Sequence, residues 1–152
     1  MPFGITMGDA SGVGPEILLR AYHANLLAND VFAYGDAAIL AAGAELLDLD
    51  ISLNVIQQPS ELIPDTLNVL DLDCLTSADL TPGKVNRKAG AAARNYVLRA
   101  TADALAGKIR AIVTLPMNKE ATRLSDPTFC GHTELIAAAC DTDNFTLMLV
   151  TP

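Results

Sequence analysis

Short apolar runs alternate with longer segments rich in alanine and leucine along most of the chain. The runs predict buried strands, because a short apolar stretch bounded by turn residues is typical of a strand inside a sheet. These strands are predicted at 3–6, 31–35, 51–56, 67–72, 109–115 and 145–150. Helices are predicted at 17–27, 37–47 and 87–107, from 116 onward and from 131 to 140. Strands that alternate with helices predict an α/β fold with a mostly parallel sheet flanked by helices.

Two of the helices carry more specific expectations. Asp36 is expected to cap the helix that follows it, because a carboxylate can accept hydrogen bonds from the free N–H groups of a first helical turn. The longest helix is predicted to bury one face, which is formed by Val97, Leu98, Ala102 and Leu105.

A glycine-rich turn follows the first predicted strand and opens the first helix, over Met7-Gly8-Asp9-Ala10-Ser11-Gly12-Val13-Gly14-Pro15-Glu16. Its three glycines are expected to allow positive φ angles and a close approach to a ligand. Free N–H groups at the helix start favour an anion, so Gly12 and Gly14 are candidate cofactor-binding residues. A dinucleotide fingerprint is excluded by Ile17, and a phosphate loop is excluded by Gly14-Pro15-Glu16. A tight turn without a ligand is the alternative.

Polar clusters are expected at the carboxyl ends of the strands, where open α/β sheets bind their ligands. The glycine-rich turn with Asp9 is the first cluster. The second is 114–119, Thr-Leu-Pro-Met-Asn-Lys, and the third is 131–134, Gly-His-Thr-Glu. His132 and Thr133 can donate hydrogen bonds to phosphate or carboxylate oxygens at the start of a helix. Lys119 can neutralise an anion, and Asp9 can orient a ligand hydroxyl.

Each of these residues also has a purely structural interpretation. His132 can be a capping or structural histidine, and Thr133 can be the N-cap of its helix. Lys119 can be an ordinary surface lysine. Asp9 can hold the turn through nearby backbone amides.

Composition excludes several classes of function. The net charge is −8 over 152 residues and no basic run is present, which argues against nucleic acid or an anionic membrane surface as partner. No apolar stretch has membrane-spanning length, so a cytoplasmic protein is expected. The three cysteines form no Cys-x-x-Cys pair, which gives no support to a zinc knuckle or a disulfide framework. With two histidines, and His23 inside a helix, no metal site is predicted within the chain.

The three clusters, in this order and at this spacing, resemble those of the 4-hydroxythreonine-4-phosphate dehydrogenase family, the PdxA family of pyridoxal phosphate biosynthesis. The resemblance covers the whole chain, yet family members are considerably longer. It therefore implies that residues 1–152 are the amino-terminal portion of a longer two-domain dehydrogenase with a fold like that of isocitrate and isopropylmalate dehydrogenases. The family usually reads Gly-Asp-Pro-Ala-Gly in the first cluster, whereas Ala10-Ser11 stands here in place of Pro-Ala.

The resemblance implies a reaction and a set of site residues. Members oxidise the alcohol of a phosphorylated β-hydroxy acid with NAD, and the β-keto acid then loses carbon dioxide. A divalent metal (Zn, Mg or Co) held by three histidines polarises the alcohol oxygen, and those histidines are expected beyond residue 152. His132 and Thr133 are implied to contact the substrate, and Asp9, Asn118 and Lys119 are implied to line the same cleft. A homodimer is implied for the complete enzyme.

Three functions stay open at the level of sequence. The most favoured substrate is 4-phosphohydroxy-L-threonine, and the departure at Ala10-Ser11 leaves 4-phospho-erythronate or 4-phospho-threonate as the alternative. The chain alone is expected to be inactive. A protein that keeps the anion-binding cleft without redox chemistry is the third possibility. The reading frame after residue 152 separates these cases, because three suitable histidines there would support the dehydrogenase.

Overall fold

A computed structural model describes residues 1–151, which form a five-stranded parallel sheet with helices packed on it. The strands are β1 (Phe3–Thr6), β2 (Val31–Gly35), β3 (Leu53–Ile56), β4 (Leu67–Asp71) and β5 (Ala111–Thr114). The helices are α1 (Gly14–His23), α2 (Ala37–Leu46), α3 (Arg87–Leu105), α4 (Lys119–Arg123) and α5 (His132–Ala139), with one 3₁₀ turn at Ser77–Asp79. The predicted α/β fold with a parallel sheet is confirmed.

The strand order is β3-β4-β2-β1-β5, so β1 lies between β2 and the edge strand β5. In register, Thr6 at the end of β1 stands beside Tyr34 on one side and Thr114 on the other. Because all strands are parallel, the loops that follow β1 and β5 leave the sheet at the same edge. None of the described helices is long and apolar enough to cross a membrane.

Helix α3 buries a face made mainly of small residues, and this corrects the predicted face. Val97 is buried as expected, but Ala102 is exposed and Leu105 is 64% exposed. The buried face instead contains Ala89, Gly90, Ala92, Ala93, Tyr96, Val97, Ala100, Thr101 and Asp103. Small side chains let α3 approach its neighbours closely, and a Cβ atom added at Gly90 would overlap the Ala121 backbone of α4. The small residues of this face allow close packing, which the positions of the large apolar residues did not predict.

The strand predicted at 145–150 is wrong. This segment has no regular structure, and its large apolar side chains are 51–88% exposed. A strand needs a neighbour for its backbone hydrogen bonds, and the edge strand β5 pairs only with β1 among the described residues. Apolar sequence alone therefore does not make this segment a strand. The first helix is also shorter than predicted, because it ends at His23 and Asn25 takes a left-handed φ of 54°.

Asp36 occupies the N-cap position of α2, but its carboxylate does not cap the helix, which corrects the expectation for this residue. One oxygen accepts a hydrogen bond from the Cys74 backbone N–H at 2.7 Å, and the other accepts from the Tyr96 hydroxyl. The side chain thereby joins β2 to the loop after β4 and to α3. Burial raises the pKa of Asp36, although these hydrogen bonds oppose the effect.

Candidate functional site

The first two polar clusters meet at the carboxyl edge of the sheet, after β1 and β5. The Leu115 N–H donates to the Thr6 carbonyl at 3.2 Å, which continues the strand pairing by one residue. The Asp9 N–H then donates to the Pro116 carbonyl at 3.0 Å. The glycine-rich loop and the loop at 115–118 are therefore held against each other by backbone hydrogen bonds.

Gly8 permits this contact, and it is the only one of the three loop glycines with a positive φ, at 74°. A Cβ atom at Gly8 would overlap the Pro116 carbonyl oxygen. The expectation of positive φ at Gly12 and Gly14 is wrong. Gly14 is buried because the Met7 carbonyl lies against its Cα, and Gly12 is exposed at the turn. Neither observation assigns a cofactor to these two residues.

Asp9 lies under the loop rather than on its surface. The residue is 2% exposed, and its Oδ1 accepts a hydrogen bond from the Ser11 N–H at 2.8 Å. Burial raises the pKa of this carboxyl, while hydrogen bonds from the Ser11 and Asn118 backbones oppose the rise. Asp9 therefore holds the turn as its structural interpretation predicts, at the position where the two loops meet.

Asn118 and Lys119 begin helix α4. The Asn118 Oδ1 accepts from the Ala121 N–H at 3.1 Å, so this side chain is the N-cap. Lys119 is exposed, and its ammonium nitrogen lies 4.0 Å from the position that a Cβ atom would take on Gly131. The cation therefore sits beside the start of α5, and the second and third clusters are adjacent.

His132 is the first residue of α5, and it is turned toward the loop after β5. Its Nε2 is buried without a hydrogen-bond partner, as is the Thr6 hydroxyl at the end of β1. Burial lowers the pKa of His132, while hydrogen bonding to the Leu115 backbone raises it. The imidazole is therefore favoured in its neutral form. Thr133 is exposed on the next position of the helix; the N-cap is Gly131, so the interpretation of Thr133 as a cap is wrong.

One set of contacts at this site was not expected from the sequence. Ser11 is 4% exposed, and its hydroxyl lies 3.0 Å from the Thr81 hydroxyl. The 81–84 stretch, Thr-Pro-Gly-Lys, reads only as a turn in the sequence. Its position against the glycine-rich loop depends on the packing of α3 and has no local signal.

The described residues do not fit a metal centre by themselves. No group of three or more His, Cys, Asp or Glu side chains among residues 1–151 is arranged to hold a metal ion. The two histidines lie on different helices, His23 at the end of α1 and His132 at the start of α5.

Comparison with known proteins agrees with this fold. The family described as "Pyridoxal phosphate biosynthetic protein PdxA" matches residues 27–152. A D-threonate 4-phosphate dehydrogenase of Cupriavidus necator is 37% identical over 98% of this chain and 46% of its own length. A 4-hydroxythreonine-4-phosphate dehydrogenase of Trichlorobacter lovleyi is 33% identical over 95% of this chain and 45% of its own length.

A solved structure shows the same architecture. The crystal structure of a 4-hydroxythreonine-4-phosphate dehydrogenase from Burkholderia phymatum superposes with a TM-score of 0.90 at 36% identity, and it covers 99% of this chain. The match covers 46% of that protein, so the chain spans a little under half the length of the relatives that it matches. On the family match and on these identities, the chain belongs to the PdxA family.

Proposed function

We propose that this chain forms part of the substrate cleft of an NAD-dependent dehydrogenase that oxidises and decarboxylates a phosphorylated β-hydroxy acid. Family membership supports the reaction class, and the convergence of the three polar clusters supports the position of the cleft. The observation that carries the proposal is the unpartnered, buried Nε2 of His132, a residue that lies near the Leu115 backbone in the loop after β5. A buried polar atom without a partner favours a ligand that can complete its hydrogen bonding.

Two substrates share the chemistry that this cleft would recognise. Both 4-phospho-D-threonate and 4-phosphohydroxy-L-threonine carry a phosphate and a carboxylate, and they differ in the hydroxyl or amino group next to the carboxylate. We place 4-phospho-D-threonate first, because a relative with that name has the higher of the two identities reported above.

The residues of the chain have separate roles in this proposal. Lys119 and the amino end of α5 attract the anionic part of the substrate, since a helix start and an ammonium group both favour negative charge. His132 and Thr133 donate or accept hydrogen bonds at its oxygens. Asp9 and Asn118 hold the floor of the cleft through the loop contacts described above. NAD would supply the hydride acceptor for oxidation of the alcohol, and Gly12, the exposed glycine of the first loop, is the residue of this chain that we propose to contact it.

Other parts of the proposal lie beyond these residues. A divalent metal ion would need ligands outside this chain, because the described residues do not form a metal centre. Homodimer formation by the complete protein is likewise a prediction. An anion-binding protein without catalysis is the alternative function, and the same cleft would serve it.

The test is NADH formation at 340 nm with each substrate, NAD and a divalent metal ion. The protein from the complete open reading frame is assayed beside this chain alone. Turnover by the longer protein only is the expected result. Turnover by this chain alone would contradict the expectation that essential residues lie outside it. Turnover by neither protein would favour the anion-binding alternative.

His132→Asn in the longer protein tests the site itself, with His23→Asn as the matched control. A hydrogen bond to a charged group contributes about 1.5–3 kcal/mol, so kcat/KM is expected to fall roughly 10- to 100-fold in His132→Asn. His23 is exposed at the end of α1, and its substitution is expected to leave kcat/KM unchanged. Equal effects of both substitutions would contradict the placement of the cleft.

A further inference from the structure

Ser11 is held in the glycine-rich loop through every polar group that it has. Its N–H donates to Asp9 Oδ1 at 2.8 Å, and its carbonyl accepts from the Gly83 N–H at 2.8 Å. Its hydroxyl shares a hydrogen bond of 3.0 Å with the Thr81 hydroxyl. Two of these three bonds come from the turn at 81–84, which lies about seventy residues further along the chain.

Thr81 is itself fixed to the start of helix α3. The Asn86 side-chain amide donates to the Thr81 hydroxyl at 3.4 Å. The Asn86 Oδ1 caps α3 by accepting from the backbone N–H groups of Lys88 at 2.8 Å and Ala89 at 3.3 Å. Ala89 is fully buried, so this end of α3 is anchored in the core. The hydroxyl of Thr81 therefore connects the anchored start of α3 to the glycine-rich loop at Ser11.

The connection ends on Asp9, which the proposed function places in the floor of the cleft. Ser11 presents its N–H to the carboxylate of Asp9, and Asp9 in turn donates its own N–H to the Pro116 carbonyl. A displaced Ser11 would turn its N–H away from Asp9. The buried carboxylate would then lose a hydrogen bond, and the contact with the loop after β5 would shift with it. Small displacements of this kind have large effects in a cleft, because ligand geometry must be met closely.

We propose that Thr81 is a positioning residue of this cleft: through the hydroxyl of Ser11, it holds the Ser11 N–H on the Asp9 carboxylate and so sets the affinity for the phosphorylated substrate. The inference rests on the proposed function for its effect on substrate, since that function places Asp9 in the floor of the cleft. The positioning of Ser11 by Thr81 depends only on the contacts of Thr81, Ser11 and Asp9.

The variants that test this are Thr81→Val, Thr81→Ser and Ser11→Ala in the protein from the complete open reading frame. Valine keeps the shape of threonine and removes the hydroxyl, whereas serine keeps the hydroxyl. One hydrogen bond corresponds to about a fivefold effect. Thr81→Val is expected to raise KM for the phosphorylated substrate about fivefold with a smaller change in kcat, and Thr81→Ser is expected to restore the parent value. Thr101→Val is the control, because that hydroxyl is also buried but bonds only to Val97 within α3.

The double variant Ser11→Ala/Thr81→Val separates positioning from two independent effects. If the two hydroxyls act through one bond, the double variant has the KM of either single variant. A KM that rises as the product of the two single effects would overturn the proposal. So would a Thr81→Ser variant that resembles Thr81→Val, because size rather than the hydroxyl would then be the cause.

A second readout does not depend on turnover. Amide hydrogen exchange followed by NMR is expected to show about fivefold faster exchange at Ser11 and Gly83 in Thr81→Val, and no change there in Thr101→Val. Unchanged exchange at Ser11 would overturn the proposal even if KM changes. If the parent protein oxidises neither substrate, the proposed function fails, and the exchange data still decide whether Thr81 holds the loop.

Discussion

Gly8→Ala is the substitution that most directly tests how the cleft is assembled. Gly8 has a φ of 74°, and a Cβ atom there would overlap the Pro116 carbonyl oxygen and lie 3.0 Å from the Leu115 carbonyl oxygen. Both obstacles are backbone atoms, so a side-chain rotation cannot relieve them. The variant must therefore separate the loop after β1 from the loop after β5.

The free energy of unfolding that Gly8→Ala loses has two parts, and a substitution at a second glycine measures one of them alone. An alanine in the left-handed region costs about 1–2 kcal/mol. Separation of the loops breaks the bond between the Asp9 N–H and the Pro116 carbonyl, and an unsatisfied buried donor costs about 1–3 kcal/mol. Gly83 has a similar φ of 77°, but nothing lies within 4 Å of its Cβ position. Gly83→Ala is therefore expected to cost only the backbone strain of about 1–2 kcal/mol.

Urea denaturation followed by circular dichroism measures the difference. With a urea dependence of about 2 kcal/mol per molar, the midpoint of Gly8→Ala is expected to lie roughly 0.5–1.5 M below that of Gly83→Ala. Gly12→Ala is expected to match the parent, since Gly12 has no positive φ and its Cβ would lie 3.4 Å from the nearest atom. Equal midpoints for Gly8→Ala and Gly83→Ala would refute the reasoning, because the Pro116 carbonyl would then place no constraint on position 8.

Two further substitutions test the packing around α3. Burial raises the pKa of Asp36 above its ordinary value of 3.8, so the folded chain holds this proton more tightly than the unfolded chain. The contribution of Asp36 to stability therefore falls as pH rises above 3.8, and Asp36→Asn is expected to lose less stability than the parent as the pH is raised from 3.8 in urea titrations. An identical pH dependence in both proteins would contradict this. Gly90→Ala is expected to cost about 2–3 kcal/mol by thermal or urea unfolding, because the new methyl group would meet the Ala121 backbone. Gly43→Ala is its control, since the nearest atom there is the end of a flexible leucine and alanine has the higher helix propensity. A similar cost in both variants would contradict the reasoning, because the Ala121 backbone would then place no special constraint on position 90.

The parts of the fold that the sequence predicted are those with a strong local signal. Strands β1, β2 and β4 are apolar runs that end at turn residues, and they lie where the pattern placed them. The clusters after β1 and β5 were expected at one edge because parallel strands share their direction. The structure places them side by side, through the contact of Asp9 with Pro116.

The features that the sequence did not predict correctly each depend on tertiary contacts. The segment 145–150 has the composition of a strand, but no described strand pairs with it. The buried face of α3 includes Gly90, where the α4 backbone approaches closely, and the hydrophobic pattern does not predict such a contact. Asp36 is a good capping residue by type, yet its carboxylate bonds to Cys74 and Tyr96. Thr81 and Ser11 are 70 residues apart in the sequence, so no local pattern could predict their hydrogen bond.

The pairing of β1 with β5 has a consequence for how the chain is made. Phe3 in β1 is synthesised 108 residues before its partner Ala111 in β5. At typical synthesis rates β1 therefore waits on the order of ten seconds before its second neighbour exists. During that time the Asp9 loop has no Pro116 carbonyl to bind. A ribosome that stalls before β5 would thus leave one edge of β1 unpaired. Unpaired strand edges bind chaperones and promote aggregation.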